Sequence, residues 1–143
     1  MKEYESALRF EGYVVPRINF KFNESFDIEE VDDGYDVKLD MKATIVNSKD
    51  NNHIILEAFL GENDNPTCPF TAEAAIIGYF SYKGNEDIAL YQSNGIALLF
   101  PYLRNLLSEI TLKSNIFPPY ILPAINVVKF LENEDNITII DEE

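Results

Sequence analysis

Tryptophan is absent from this 143-residue sequence, cysteine and histidine occur once each, at Cys68 and His53, and the six glycines are isolated from one another. A single cysteine excludes an internal disulfide framework, and with a single histidine it leaves too few soft ligands for a zinc site. Without a Gly-rich segment there is no phosphate-cradling loop, and no serine stands in a nucleophile elbow. His53 is therefore read as an exposed turn residue and Cys68 as a small packed one. Carboxylates are plentiful, but the densest run, "DIEEVDDGYD" from Asp27 to Asp36, lacks the alternating ligand positions of a calcium loop. It reads as a solvated acidic loop, with attraction of a partner as the functional rival.

Cations are also scarce. Eleven Lys and Arg stand against 25 Asp and Glu, a formal net charge of −14. Affinity for nucleic acid comes from neutralising phosphates, so such a chain has no nucleic-acid partner, and it repels anionic lipid as well. The same charge keeps a protein dispersed and attracts basic or unfolded cationic polypeptides. No uncharged run approaches the roughly 20 residues needed to span a bilayer. The start, "MKEYESALRFEG", mixes charged with apolar residues, unlike a secretory signal. The expectation is a cytoplasmic protein with no membrane insertion.

What the chain does have is apolar periodicity. From Ile18 to Phe22 apolar and polar residues alternate, with Pro16 marking an edge or a bulge. From Tyr35 to Ile45 the alternation is strict: Tyr35, Val37, Leu39, Met41, Ala43 and Ile45 share one face. Two further strands are expected over "HIILEAFL" and over "CPFTAEAAIIGYFSY", the latter with Gly78 as a bulge. Short polar turns between the four suggest an antiparallel sheet.

The period then changes. Ser93 can cap a helix in which Ile96, Leu99, Phe100, Leu103, Leu106, Leu107 and Ile110 follow three-and-four spacing, with a kink or restart at Pro101. After it comes "IFPPYILPAINVVKFL" (116–131), an almost uncharged segment with three prolines. Its first half must be extended, because a residue preceding proline is pushed out of helical geometry. A short helix from about Ile125 to Glu134 and an unassigned tail, "NITIIDEE", complete an α+β plan in one domain, residues 1–143. Ten Phe and eight Tyr exceed what so small a core requires, which points to an interface or an apolar groove.

The stretch "LLFPYLRNLLSEITLKSNIFPPYILPAIN" resembles the SecB family of protein-export chaperones. The shared pattern is a helix with a Phe-Pro-Tyr and Arg start, here Phe100, Pro101, Tyr102 and Arg104, then a Phe-Pro exit at Phe117 and Pro118. A Leu/Pro link follows at Leu122 and Pro123, ending in Asn126 before the last helix. "YDVKLDM" (35–41) and "GYFS" (78–81) are similar to strand segments of the same family. The likeness follows the order of the chain and is weakest at the N-terminus.

The resemblance implies a SecB-like four-stranded antiparallel sheet with a long kinked helix and a short C-terminal helix on one side, and a homotetramer built as a dimer of dimers. It implies no catalytic activity and no cofactor. The implied function is to hold unfolded or precursor polypeptides in apolar grooves and, in the export version, to pass them to the SecA motor. The alternative is a SecB-like chaperone or binding module dedicated to one partner, for example an antitoxin, without that handover. By position, Val37, Leu39, Met41, Phe130 and Leu131 match client-contacting residues, with core or interface burial as the rival reading. Glu73 matches an acidic motor-docking residue. Where the family has further acidic residues on the first strand, this chain carries Arg17 and Lys21, a reversal of sign that opposes the same docking.

Overall fold

The computed structural model describes residues 8–27, 29, 37–48, 51–82 and 88–142, with backbone alone at residue 82 and residues 88–90. The order is β1 (Leu8–Phe22), β2 (Leu39–Asn47), β3 (Asn52–Leu60), β4 (Phe70–Tyr82), α1 (Ile88–Lys113), α2 (Val127–Glu132), a 3-10 turn (Glu134–Asn136) and β5 (Ile137–Asp141). The strands form one sheet in the order β1-β4-β3-β2-β5. Expected residues 28 and 30–36 of the acidic loop, Tyr35 among them, lie outside the described residues.

The antiparallel part follows from alternation. Leu39, Met41, Ala43 and Ile45 pair across to Leu60, Ala58, Leu56 and Ile54, which pair in turn with Ala72, Ala74, Ile76 and Gly78. Residues opposite one another share a face, so these rows form one continuous apolar side. Ile45, Ile54, Leu56, Leu60 and Ile76 are fully buried on it. The other side carries Lys42 opposite Glu57 and Asp40 opposite Phe59.

β1 is an edge strand with two register shifts, one between Phe10 and Gly12 and one between Val14 and Arg17. The second places Val15 and Pro16 together opposite Ile76, so the proline sits at an edge and at a bulge, where its missing N–H costs no ladder bond. Gly12 has φ +118°, a conformation that side chains disfavour, and it sits beside the first shift.

Helix α1 crosses the apolar side. Leu99, Leu103 and Leu107 on its inner face are fully buried, each such side chain contributing about 1.5–3 kcal/mol by leaving water. Two glycines let it approach. A Cβ on Gly78 would lie 2.5 Å from Leu99 Cδ2, and one on Gly95 would strike Ile54 Cδ1. Gly78 is therefore no bulge: it pairs in regular register with Tyr13 and Ile54, and its missing side chain is the socket for Leu99.

Three further expectations change. The helix begins at Ile88, ahead of Ser93, which has the right chemistry for a cap but lies inside the helix; Tyr91 is already buried and meets Phe80 edge-on at 6.0 Å. The helix does not restart at Pro101 but runs through it, with the proline exposed on its solvent side. Among the described residues the sheet has five strands and is mixed, because the tail residues Ile137–Asp141 pair in parallel with Ala43–Asn47. Their β-branched side chains suit a strand.

Two outcomes follow from this packing. Gly78→Ala forces Leu99 to move and should cost about 1–3 kcal/mol, read as a lower urea midpoint with unchanged slope. Burial pushes the Tyr91 phenol from its ordinary value of 10.0 up to about 12. The unfolded state thus loses its proton first, so stability is fully present below pH 10 and falls between there and the folded value. A Tyr91→Phe chain, denatured in parallel, should lose less stability over that interval.

Candidate functional site

The apolar connector is held by the end of α1. Asn115 has φ +58°, the left-handed geometry in which asparagine ends helices. Ser114 Oγ donates to the Thr111 carbonyl at 2.7 Å and accepts from the Ile116 and Phe117 amides at 3.2 and 3.3 Å. The chain is thereby turned so that Phe117 enters the core, with ring centroids 5.1 Å from Phe70, 6.0 Å from Phe22 and 6.4 Å from Phe26.

The next anchor is Tyr120. Its amide donates to Thr111 Oγ1 at 2.7 Å, and its carbonyl accepts from Ser108 Oγ at 2.7 Å. The Thr111 hydroxyl is fully buried and shares its own proton between the Leu107 and Ser108 carbonyls at 2.9 and 3.1 Å. These two side-chain hydroxyls do for the extended connector what a neighbouring strand does in a sheet. Sequence reading missed them, because small polar residues at 108 and 111 look like ordinary positions on a helix.

Beyond the connector, Leu122 is buried and Asn126 caps α2, its Oδ1 accepting from the Lys129 amide at 3.1 Å. Val127, Phe130 and Leu131 are half-buried against the core, whereas Ile121 and Val128 are 65% and 62% exposed. Leu112 and Ile116, at the end of α1, are exposed too. An apolar surface thus runs from the last turn of α1 along the connector to α2.

Of the six residues singled out in sequence, five lie on this side of the sheet. Val37 is buried, just ahead of β2; Leu39 and Met41 are half-buried on its apolar face; Phe130 and Leu131 pack from α2 against the same core. Glu73 lies on the opposite side. It pairs with Asn19 and Phe59 in the sheet, and its carboxylate meets Arg17 Nε at 3.4 Å. Arg17 also donates to Glu57 at 2.7 Å, the main reason its guanidinium pKa lies above the ordinary value. At paired strand positions among the described residues, that outer side carries Arg9, Arg17, Lys21 and Lys42 against Asp40, Glu57 and Glu73, a near balance of charge.

Two other features remain. His53 stands on β3, half-buried on the outer side, 5.9 Å from the Tyr79 ring, and not in an exposed turn. An open cleft of about 780 Å³ lies at the far end of β1, floored by Phe20, Phe22, Cys68 and Phe70 and rimmed by Glu24, Glu62 and Asp64. Cys68 is buried there and donates to the Phe70 carbonyl at 3.1 Å. No group of three or more metal-ligating side chains occurs among the described residues. No helix among them is long and apolar enough to cross a membrane.

Over 138 residues the chain is 32% identical to "Uncharacterized protein MJ0357" of Methanocaldococcus jannaschii, a match that covers 92% of this chain and 86% of that one. The chain belongs to the family of that protein. No family model matches it. Among solved structures it is similar to the Mycobacterium tuberculosis Rv1957 SecB-like chaperone, determined in complex with a peptide from the HigA1 antitoxin. The TM-score is 0.60 with 15% identity, over 83% of this chain and 91% of that one. The fold is therefore SecB-like. A Streptococcus agalactiae protein of unknown function also aligns, at TM-score 0.45 and 12% identity, over 82% of this chain and 97% of that one.

The connector clamp has a direct test. Thr111→Val keeps the shape but removes the acceptor of the Tyr120 amide, and should cost about 1–3 kcal/mol. Faster hydrogen exchange at Tyr120, with the strand amides unchanged, identifies the lost bond.

Proposed function

We propose that this chain is a SecB-like molecular chaperone, one domain over residues 1–143, that holds unfolded or partly folded polypeptides without nucleotide, metal or catalysis. The observation that carries this reading is the apolar surface of the α1 end, connector and α2, displayed on a SecB-like fold in a chain of net charge −14. Apolar surface accepts many sequences, and net charge keeps the chains that display it apart. Leu39, Met41, Phe130 and Leu131 border that surface and Val37 supports it. Further back on α1, Leu98 and Tyr102 face solvent, which suits assembly into a homotetramer of the SecB kind. The expected address is the cytoplasm.

Within this class two roles compete: delivery to SecA, and service to one dedicated partner. The outer side favours the second. Glu73 is already engaged by Arg17, and a side with balanced charge offers little steering to a motor that docks on acidic residues. The solved neighbour is in complex with an antitoxin peptide, which fits a dedicated partner as well as a general chaperone.

In an aggregation assay with a chemically unfolded reference protein, the wild-type chain should suppress light scattering near stoichiometric ratio. Met41→Asp and Leu39→Asp, checked for native circular dichroism, should lose most of that suppression. Folded variants with full activity would remove these residues from the site. Co-precipitation with SecA at low salt should fail; retention of SecA would restore the export role.

A further inference from the structure

Strand β5 differs from its four companions in every respect that bears on its hold. It is 5 residues long, against 15, 9, 9 and 13 for β1 to β4. It is the one strand among the described residues with no antiparallel partner. Four of its five residues are exposed, Ile139 and Ile140 among them, and only Ile137 packs against the core. No fully buried side chain belongs to it. Its removal leaves the antiparallel four-stranded sheet and its contact with α1 intact, so its attachment rests on backbone bonds and on clamps at its two ends. At one end Asn47 Nδ2 donates to Asp141 Oδ1 at 3.0 Å and the Glu142 amide donates to the Asn47 carbonyl at 2.7 Å. At the other, Asn136 Nδ2 donates to the Phe130 carbonyl at 3.2 Å.

The edge that β5 covers continues beyond it. β2 runs from Leu39 to Asn47, but β5 pairs only with Ala43 to Asn47. From Leu39 to Lys42 no strand among the described residues pairs with that edge; the 3-10 turn Glu134–Asn136 packs against β2 just ahead of β5, and Leu39 and Met41 stand on the apolar face there. An exposed strand edge is a template for a further strand. An extended polypeptide lying over the apolar surface thus meets a length of edge that no strand among the described residues pairs, flanked by a short turn and a weakly attached strand.

We propose that the outer edge of β2 is a strand-acceptor site whose resident occupant is the chain's own Ile137–Asp141, and that an extended, β-branched segment of a bound polypeptide takes its place. The resident sequence, Ile-Thr-Ile-Ile-Asp, defines the ligand class: aliphatic and β-branched, and parallel to β2. Pairing begins on Leu39 to Lys42 and advances by displacing β5. Because Asn136 ties the start of β5 to α2 through the Phe130 carbonyl, displacement also frees α2, and with it Phe130 and Leu131. Displacement of β5 by bound clients rests on the chaperone reading above; the acceptor edge itself does not.

The test uses the full chain and a fluorescent peptide, Asn-Ile-Thr-Ile-Ile-Asp-Glu, copied from residues 136–142. Ile139→Gly with Ile140→Gly loosens β5 at exposed positions and opens no cavity; it should bind the peptide about tenfold or more tighter than the wild-type chain does. Thr44→Cys with Thr138→Cys joins register partners; the oxidised form should bind no peptide, and reductant should restore binding. If the loosened chain fails to bind, or all forms bind alike, the acceptor edge is wrong. A concentration-dependent oligomer of the loosened chain that excludes the peptide would make a second copy the occupant and overturn the proposal.

The same forms are then given the unfolded reference protein. The oxidised form should suppress its aggregation several-fold less well than the reduced one. Peptide exchange without suppression by any form would leave the acceptor edge and remove the chaperone reading. Peptide exchange with equal suppression by all forms would show that clients do not use the edge, and would overturn that part of the proposal.

Discussion

The close approach of α1 to the sheet organises the rest of the molecule. Leu99 sits where Gly78 has no side chain, and Ile54 reaches the backbone at Gly95, so helix and sheet meet with no room for a Cβ at either point. That contact fixes which face of the sheet is dry. It also fixes the line α1 takes across the sheet, and Ser114 and Asn115 then end the helix and start the connector. With α1 in place, Thr111 and Ser108 point their hydroxyls at Tyr120, and the extended connector lies along the helix with its backbone satisfied.

The two sides of the sheet consequently have different jobs available to them. The helix side leads its apolar surface out to solvent at Leu112, Ile121 and Val128. An acidic chain can afford that exposure, because its charge opposes self-association. The outer side carries its charges in near balance, with Arg17 bridging Glu57 and Glu73. The function proposed above uses the first side for binding polypeptide. Any docking on the second must work with Arg17, Lys21 and Lys42 as well as with its carboxylates.

Much of this plan was legible in the sequence wherever the signal is local. The strict alternation of Leu39, Met41, Ala43 and Ile45 located β2 and its inward face, Pro16 announced an edge and a bulge, and the prolines after Phe117 announced an extended connector. The SecB-like order of features rested on the same residues. What stayed hidden depends on contacts distant in sequence. Gly78 reads as a bulge unless Leu99 is known to fill its place. Ser93 reads as a cap, although the helix starts earlier because Tyr91 finds a buried site against Phe80. The tail from Ile137 to Asp141 is too short to declare itself a strand, and its partner Asn47 lies 94 residues before Asp141. The pairing of Glu73 with Arg17 appears only once the register of β1 against β4 is set.

Hydrogen exchange of the chain with and without a bound, permanently unfolded polypeptide tests the central claim most directly. Binding on the helix side predicts protection concentrated in residues 37–42 and 116–132, with the outer-facing charged positions of β1 and β4 unchanged. Protection confined to the outer side, or no protection by any unfolded polypeptide at saturating concentration, would contradict it.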